Sequence, residues 1–244
     1  MSIAVLAPKT NKMTASKKVD RLAGLIYLVV VLTGIFSLMY VPSTLVNWKD
    51  PAETFQNISS SQQLFRLSIA SSMLCYIAFL LLPLVLYKIL HGVNEQYAKL
   101  MVILAIVSVP MSFINLQHKF AVLNLAEGAG YLDVYNMEQL QAQVMQLLDN
   151  YNSGLRVCQV FWGLWLFPFG YLVYKSGVLP KILGILLMLG CIGYLVSVFA
   201  NTIFVNFHQY TVSKFITLPA TLGEIGTCLW LLIFGRKLKK TENG

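Results

Sequence analysis

Charge is what this sequence has least of: Asp, Glu, Lys and Arg make up 11% of its 244 residues. A water-soluble domain carries about a quarter. So little polar side chain cannot cover a particle in water, and the bilayer is the expected solvent. Acidic residues are scarcer than basic ones, 10 against 18, which gives a net charge of +8. That excess does not point to nucleic acid, because the positives sit beside apolar stretches and no nucleic-acid module is present. Cysteine is limited to Cys75, Cys158, Cys191 and Cys228, each within an apolar stretch. With no loop pair and no C-x-x-C, they read as small packing residues. Also missing are a G-x-S-x-G elbow, a glycine-rich phosphate loop and any H-E-x-x-H spacing. No catalytic residue, metal or cofactor is therefore expected. His118, His208 and Glu224 lie on three different segments without ligand spacing.

Long apolar runs are what the chain has instead, with 57% hydrophobic residues. A helix of about twenty apolar residues crosses a bilayer. Six such runs are present, over residues 22–45, 65–87, 100–122, 155–174, 182–204 and 215–234. The expected fold is an all-α membrane protein, a six-transmembrane-helix bundle over residues 21–236. A basic cytoplasmic tail is expected at 1–20, without fixed structure, and another at 237–244. The first run is too long for a signal-peptide core and is expected to be retained. Of the 18 Lys and Arg residues, 13 fall on the side that holds both termini and 5 on the other. The positive-inside rule then places both termini in the cytoplasm.

Two loops on the opposite, outer side carry helix-start signals. Asp50-Pro51-Ala52-Glu53 supplies an N-cap, a proline at the first helical position and a glutamate at the third. Asn136 followed by Gln139 is a capping pair, and Met137, Leu140, Val144, Leu147, Leu148 and Tyr151 then recur at helical spacing. This predicts a short amphipathic helix between the third and fourth spans, packed as a lid over the outer mouth. Pro83, Pro110, Pro168 and Pro219 fall inside spans and predict kinks.

Depth along the spans separates the polar residues. At 1.5 Å of rise per residue, Glu224 lies roughly 13 Å from the outer end of the sixth span. Asn115, Ser72, Gln159, Asn201, Tyr40 and Ser37 fall in a band above it, and Arg66, His118, Lys119, Arg156 and His208 nearer the surface. The inner halves are almost free of polar side chains. An outward-facing polar pocket between the helices follows, with Glu224, Arg66, Arg156, Asn115, Gln159, Asn201 and His118 as candidate ligand-binding residues. A carboxyl group at that depth is expected to face the bundle interior with a partner or to be protonated. Arg66 and Arg156 are the cations that could reach it, tying helices together as a clamp. Small residues at Ser68, Ser72, Gly223 and Thr227 would let the second and sixth spans meet.

Three stretches resemble a family known only as domain of unknown function 4386: residues 64–71 (LFRLSIAS), 176–184 (SGVLPKILG) and 218–224 (LPATLGE). They occur in order, and the likeness runs over about residues 20–235. The resemblance implies a multi-pass protein of a bacterial inner membrane, and it attaches no activity, substrate or cofactor. Arg66 and Glu224 fall within the resembling stretches. The functional expectation is a protein that binds a small molecule or a lipid in the outer pocket, as a transporter or sensor. The alternatives are an intramembrane enzyme acting on a lipid or isoprenoid, and a structural or interaction subunit. Membrane lipids are the expected surroundings, and nucleic acid is not an expected partner.

Overall fold

The computed structural model describes residues 9–128, 130–204, 206–207 and 210–235. These are helical throughout apart from short connections, and no strand occurs among them. Six helical stretches are long and apolar enough to cross a membrane: Lys17–Leu45, Gln62–Leu90, Glu95–Glu127, Met137–Ser176, Lys181–Ile203 and Thr211–Ile233.

Several of these stretches are broken, and proline is the usual cause. The first consists of α1 (Lys9–Gly34), a π-helical segment (Ile35–Tyr40) and α2 (Val41–Leu45). Because α1 begins at Lys9, part of the predicted unstructured tail is helical. Then come α3 (Pro51–Ser60), α4 (Gln62–Leu90), α5 (Glu95–Asn115) and α6 (Gln117–Glu127). The fourth span is α7 (Met137–Leu164) followed by α8 (Leu166–Ser176). Pro168 cannot donate to the carbonyl four residues back, that of Leu164, which is where α7 ends. The fifth span is α9 (Lys181–Ile203), and the sixth is α10 (Thr211–Phe215) with α11 (Leu218–Ile233). Pro219 sits in the first turn of α11, so it starts a helix and does not kink one. Residues 237–244 lie outside the described part.

Both predicted caps form. The Asp50 side chain accepts the Glu53 amide at 2.9 Å and opens α3. Asn136 accepts the Gln139 amide at 2.9 Å while the Gln139 side chain accepts the Asn136 amide at 3.0 Å. The helix they start is not separate from the fourth span, however. Met137 to Leu164 is one continuous helix of 28 residues. No Pro lies between Met137 and Leu164, and Gly154, the one glycine at the predicted junction, weakens a helix without ending it.

The spans pack in chain order as a closed ring. α1 packs on α4, α4 on α5, α5 on α7, α8 on α9, α9 on α11, and α11 returns to α1. Glycines set the tightest approach. The hairpin from α8 to α9 turns at Gly177, with φ +64, and the Ser176 hydroxyl accepts the Val178 amide at 3.0 Å. Just beyond it, a Cβ on Gly184 would stand 2.6 Å from the Gly170 carbonyl oxygen. One half of the ring is filled by Phe79, Trp165 and Phe169, with ring centroids 5.3 and 5.1 Å apart. The other half, beneath α3 and the start of α7, holds the buried polar residues Ser37, Ser68, Ser72, Asn115 and Lys119.

Candidate functional site

In the first span the backbone itself creates the need for a partner. Within the π-helical segment the Val41 amide donates to the Phe36 carbonyl, five residues back. Val41 is thus unavailable to Ser37, its α-helical acceptor, and the next residue in the π register is Pro42, which has no N–H. The Ser37 carbonyl is left without a helical donor. Lys119 supplies one: its ammonium donates to the Ser37 carbonyl at 3.1 Å and to the Ser68 hydroxyl at 2.9 Å. The same nitrogen stands 4.8 Å from the centroid of the Tyr151 ring. Lys119 is 2% exposed.

The elements around it hold this arrangement in place. The Ser72 hydroxyl donates to the Ser68 carbonyl at 3.0 Å, one turn along α4. Asn115 donates to the Tyr151 carbonyl at 2.9 Å and ties α5 to α7. It fits there because residue 154 is glycine: a Cβ on Gly154 would lie 1.9 Å from the Asn115 amide oxygen. The Tyr151 and Tyr76 hydroxyls are 3.4 Å apart. Every partner of the ammonium is neutral, and among the described residues no carboxylate lies within 4.0 Å of it. A lone buried cation is costly in a low-dielectric interior, and ordinarily one is paired.

Lys119 forms part of the wall of a cavity of about 220 Å³. Ser68, Tyr151 and Asn152 give it a polar side, and Leu38, Val41, Pro42, Leu45 and Phe65 an apolar one. Trp48 and Val46 also border a second, more open groove of about 460 Å³ lined by Ser43, Thr44, Asn47, Lys49 and Glu53.

The residues singled out by sequence disperse. Asn115 belongs to the Lys119 cluster. Arg66 pairs with Glu127, and Arg156 is exposed and donates to the Ser153 hydroxyl at 2.7 Å. Glu224 meets neither arginine; it accepts the Tyr27 hydroxyl at 3.0 Å, joining α11 to α1. The clamp between Arg66 and Glu224 is therefore absent, because the ring puts α1 between α4 and α11. For the same reason Ser68 and Ser72 do not face Gly223. Asn201 donates to the Ser197 carbonyl of its own helix at 2.8 Å. Gln159 and His118 are half-buried, outside the cavity wall. His208 lies outside the described residues. Depth along the third span puts Lys119 near the surface, so sequence alone does not group it with the candidates; its bond to the Ser37 carbonyl has one legible signal, the proline at position 42.

The three resembling stretches now have physical roles. Residues 64–71 carry Phe65 and Ser68 into the cavity wall, 176–184 form the α8–α9 hairpin, and 218–224 bring Glu224 to Tyr27. The family described as Domain of unknown function (DUF4386) matches residues 22–235. The chain belongs to this family. A relative in sequence, an uncharacterized protein of Archaeoglobus fulgidus, is 37% identical over 93 residues. That match covers 38% of this chain and 53% of the relative, so the chain spans about half the relative's length. No solved structure matches.

Proposed function

We propose that this DUF4386 protein binds a small molecule or a lipid in the Lys119 cavity, as a transporter or sensor. The single observation that carries the reading is a lysine side chain buried in the bundle, its amine bonded only to neutral groups, on the wall of a cavity. Polar and ionisable groups are expensive inside a membrane and concentrate where a ligand or ion is handled. The cavity's mix of a largely apolar wall with a few convergent polar groups is that of a small-molecule site. The filled aromatic half of the ring argues against an open pore.

In this reading the chain lies in a bacterial cytoplasmic membrane with both termini inside, as the distribution of Lys and Arg favours. The cavity and the first four turns of α7 then face outward. Glu224 has a structural role, since its hydrogen bond to Tyr27 joins two neighbouring helices away from the cavity wall.

Native mass spectrometry from mild detergent, with analysis of the extracted small molecules and lipids, tests the proposal. Wild type should retain a discrete species that Lys119→Met, still monodisperse, does not. Equal retention by both proteins, or none by either, would overturn it.

A further inference from the structure

We infer that the ligand of the Lys119 cavity is a monocarboxylate on a short apolar body, such as a medium-chain fatty acid. The inference rests on the binding proposed above and adds the chemical class. Charge comes first. Lys119 is the one ionisable cation on the cavity wall; Lys49 lines the neighbouring groove, and Arg66 and Arg156 have partners elsewhere. One ammonium neutralises one carboxylate. A phosphate monoester carries about −1.5 to −2 at neutral pH and three acceptor oxygens, and would remain undercompensated here. A cationic ligand would meet like charge with no carboxylate on the wall.

Hydrogen-bond capacity agrees. An ammonium has three donors, and Lys119 uses two, on Ser37 and Ser68. Asn152 lines the same polar side, and its amide has no hydrogen-bond partner among the described residues. A planar carboxylate has two oxygens for these two donors.

Shape sets the rest. The cavity, at about 220 Å³, is below the roughly 300–1,000 Å³ of sites for drug-sized ligands. It admits a short chain or the carboxyl end of a longer one, laid against Leu38, Val41 and Pro42. The adjoining groove shares Trp48 and Val46 with the cavity and carries both Lys49 and Glu53, so it gives the ligand a polar approach without net charge, and the selection for an anion lies at Lys119.

The test uses the full chain in a non-ionic detergent and a series of probes matched in chain length: octanoate, octyl phosphate, octanol and octylammonium. Thermal shift and titration calorimetry are read on wild type, Lys119→Met and Asn152→Leu. Octanoate should bind wild type saturably and raise its Tm, with affinity reduced at least about tenfold in Lys119→Met. Asn152→Leu, which keeps the cation, should weaken octanoate by a smaller factor and serves as the second variant if Lys119→Met does not fold. Octanol and octylammonium should give no saturable shift. Tighter binding of octyl phosphate, equal binding of octanol, or octanoate binding unchanged in both variants would overturn the inference. If native mass spectrometry nonetheless shows a Lys119-dependent species that is uncharged, the binding reading stands and the carboxylate class falls. If no species is retained and no probe binds, both fall.

Discussion

Lys119 donates to the backbone carbonyl of Ser37 at 3.1 Å across 82 positions of chain, at the carbonyl that Pro42 deprives of a helical donor. The π register and the proline open an acceptor in the first span, and the third span carries a cation to it. This contact does not neutralise the ammonium. The pairing therefore orients the charge beside the cavity without cancelling it.

The first prediction concerns stability. Removing Lys119 orphans the Ser37 carbonyl, at about 1–3 kcal/mol, but it also removes a buried charge whose desolvation costs several kcal/mol. Lys119→Met should leave the Tm unchanged or raise it while abolishing ligand retention. A residue kept for binding shows this trade between stability and function. Loss of more than about 2 kcal/mol on detergent or thermal unfolding would instead make Lys119 a structural strut.

Pro42→Ala restores the missing N–H. The new amide can donate to the Leu38 or the Ser37 carbonyl and so competes with Lys119 for the π-helical segment. Hydrogen exchange in peptides covering residues 38–46 should slow, and ligand retention should fall. Unchanged exchange would mean that the proline does not set the availability of the Ser37 carbonyl.

The Tyr27–Glu224 contact predicts an asymmetry between two conservative variants. Glu224→Gln keeps a carbonyl oxygen to accept from Tyr27, whereas Tyr27→Phe removes the donor. A net hydrogen bond between neutral groups is worth about 0.5–1.5 kcal/mol, and a buried acceptor left without its donor costs about 1–3 kcal/mol. Tyr27→Phe should therefore destabilise more than Glu224→Gln in thermal unfolding, with neither changing the ligand retained by the Lys119 cavity. Ligand loss in Glu224→Gln, with stability intact, would return Glu224 to the binding site.

Much of the fold was legible because it depends on local chemistry. The apolar runs locate the six membrane-compatible helices, and Asp50 and Asn136 start helices where their capping partners predict. The site was less legible because its contacts are long-range. Depth counting puts Lys119 near a surface, yet depth along a helix does not say which way a side chain turns. Arg66 and Glu224 look complementary in sequence until the ring order separates their helices. The boundary of the predicted outer helix differs for a simpler reason: Asn152, Ser153 and Gly154 follow Tyr151 where a break is expected, yet one internal glycine only weakens a helix and α7 runs straight through it.

Gly154 and Asn115 show another relation that spacing conceals. With a Cβ at residue 154 only 1.9 Å from the Asn115 amide oxygen, Gly154→Ala should displace Asn115 and cost about 1–3 kcal/mol by overpacking. Adding Asn115→Ala should relieve part of that cost, so the double variant unfolds at a higher Tm than the two single losses add up to. Strict additivity would show that the two residues do not share this space.

Photoaffinity labelling in native membranes tests the central claim most directly. A medium-chain carboxylate bearing a diazirine should label Val41, Pro42, Leu148 or Leu155, which line the cavity with Lys119. Excess octanoate should suppress the label, and Lys119→Met should lose it. Labels confined to lipid-facing residues such as Leu25, Ile103 and Ile192, and equal in wild type and Lys119→Met, would contradict the account.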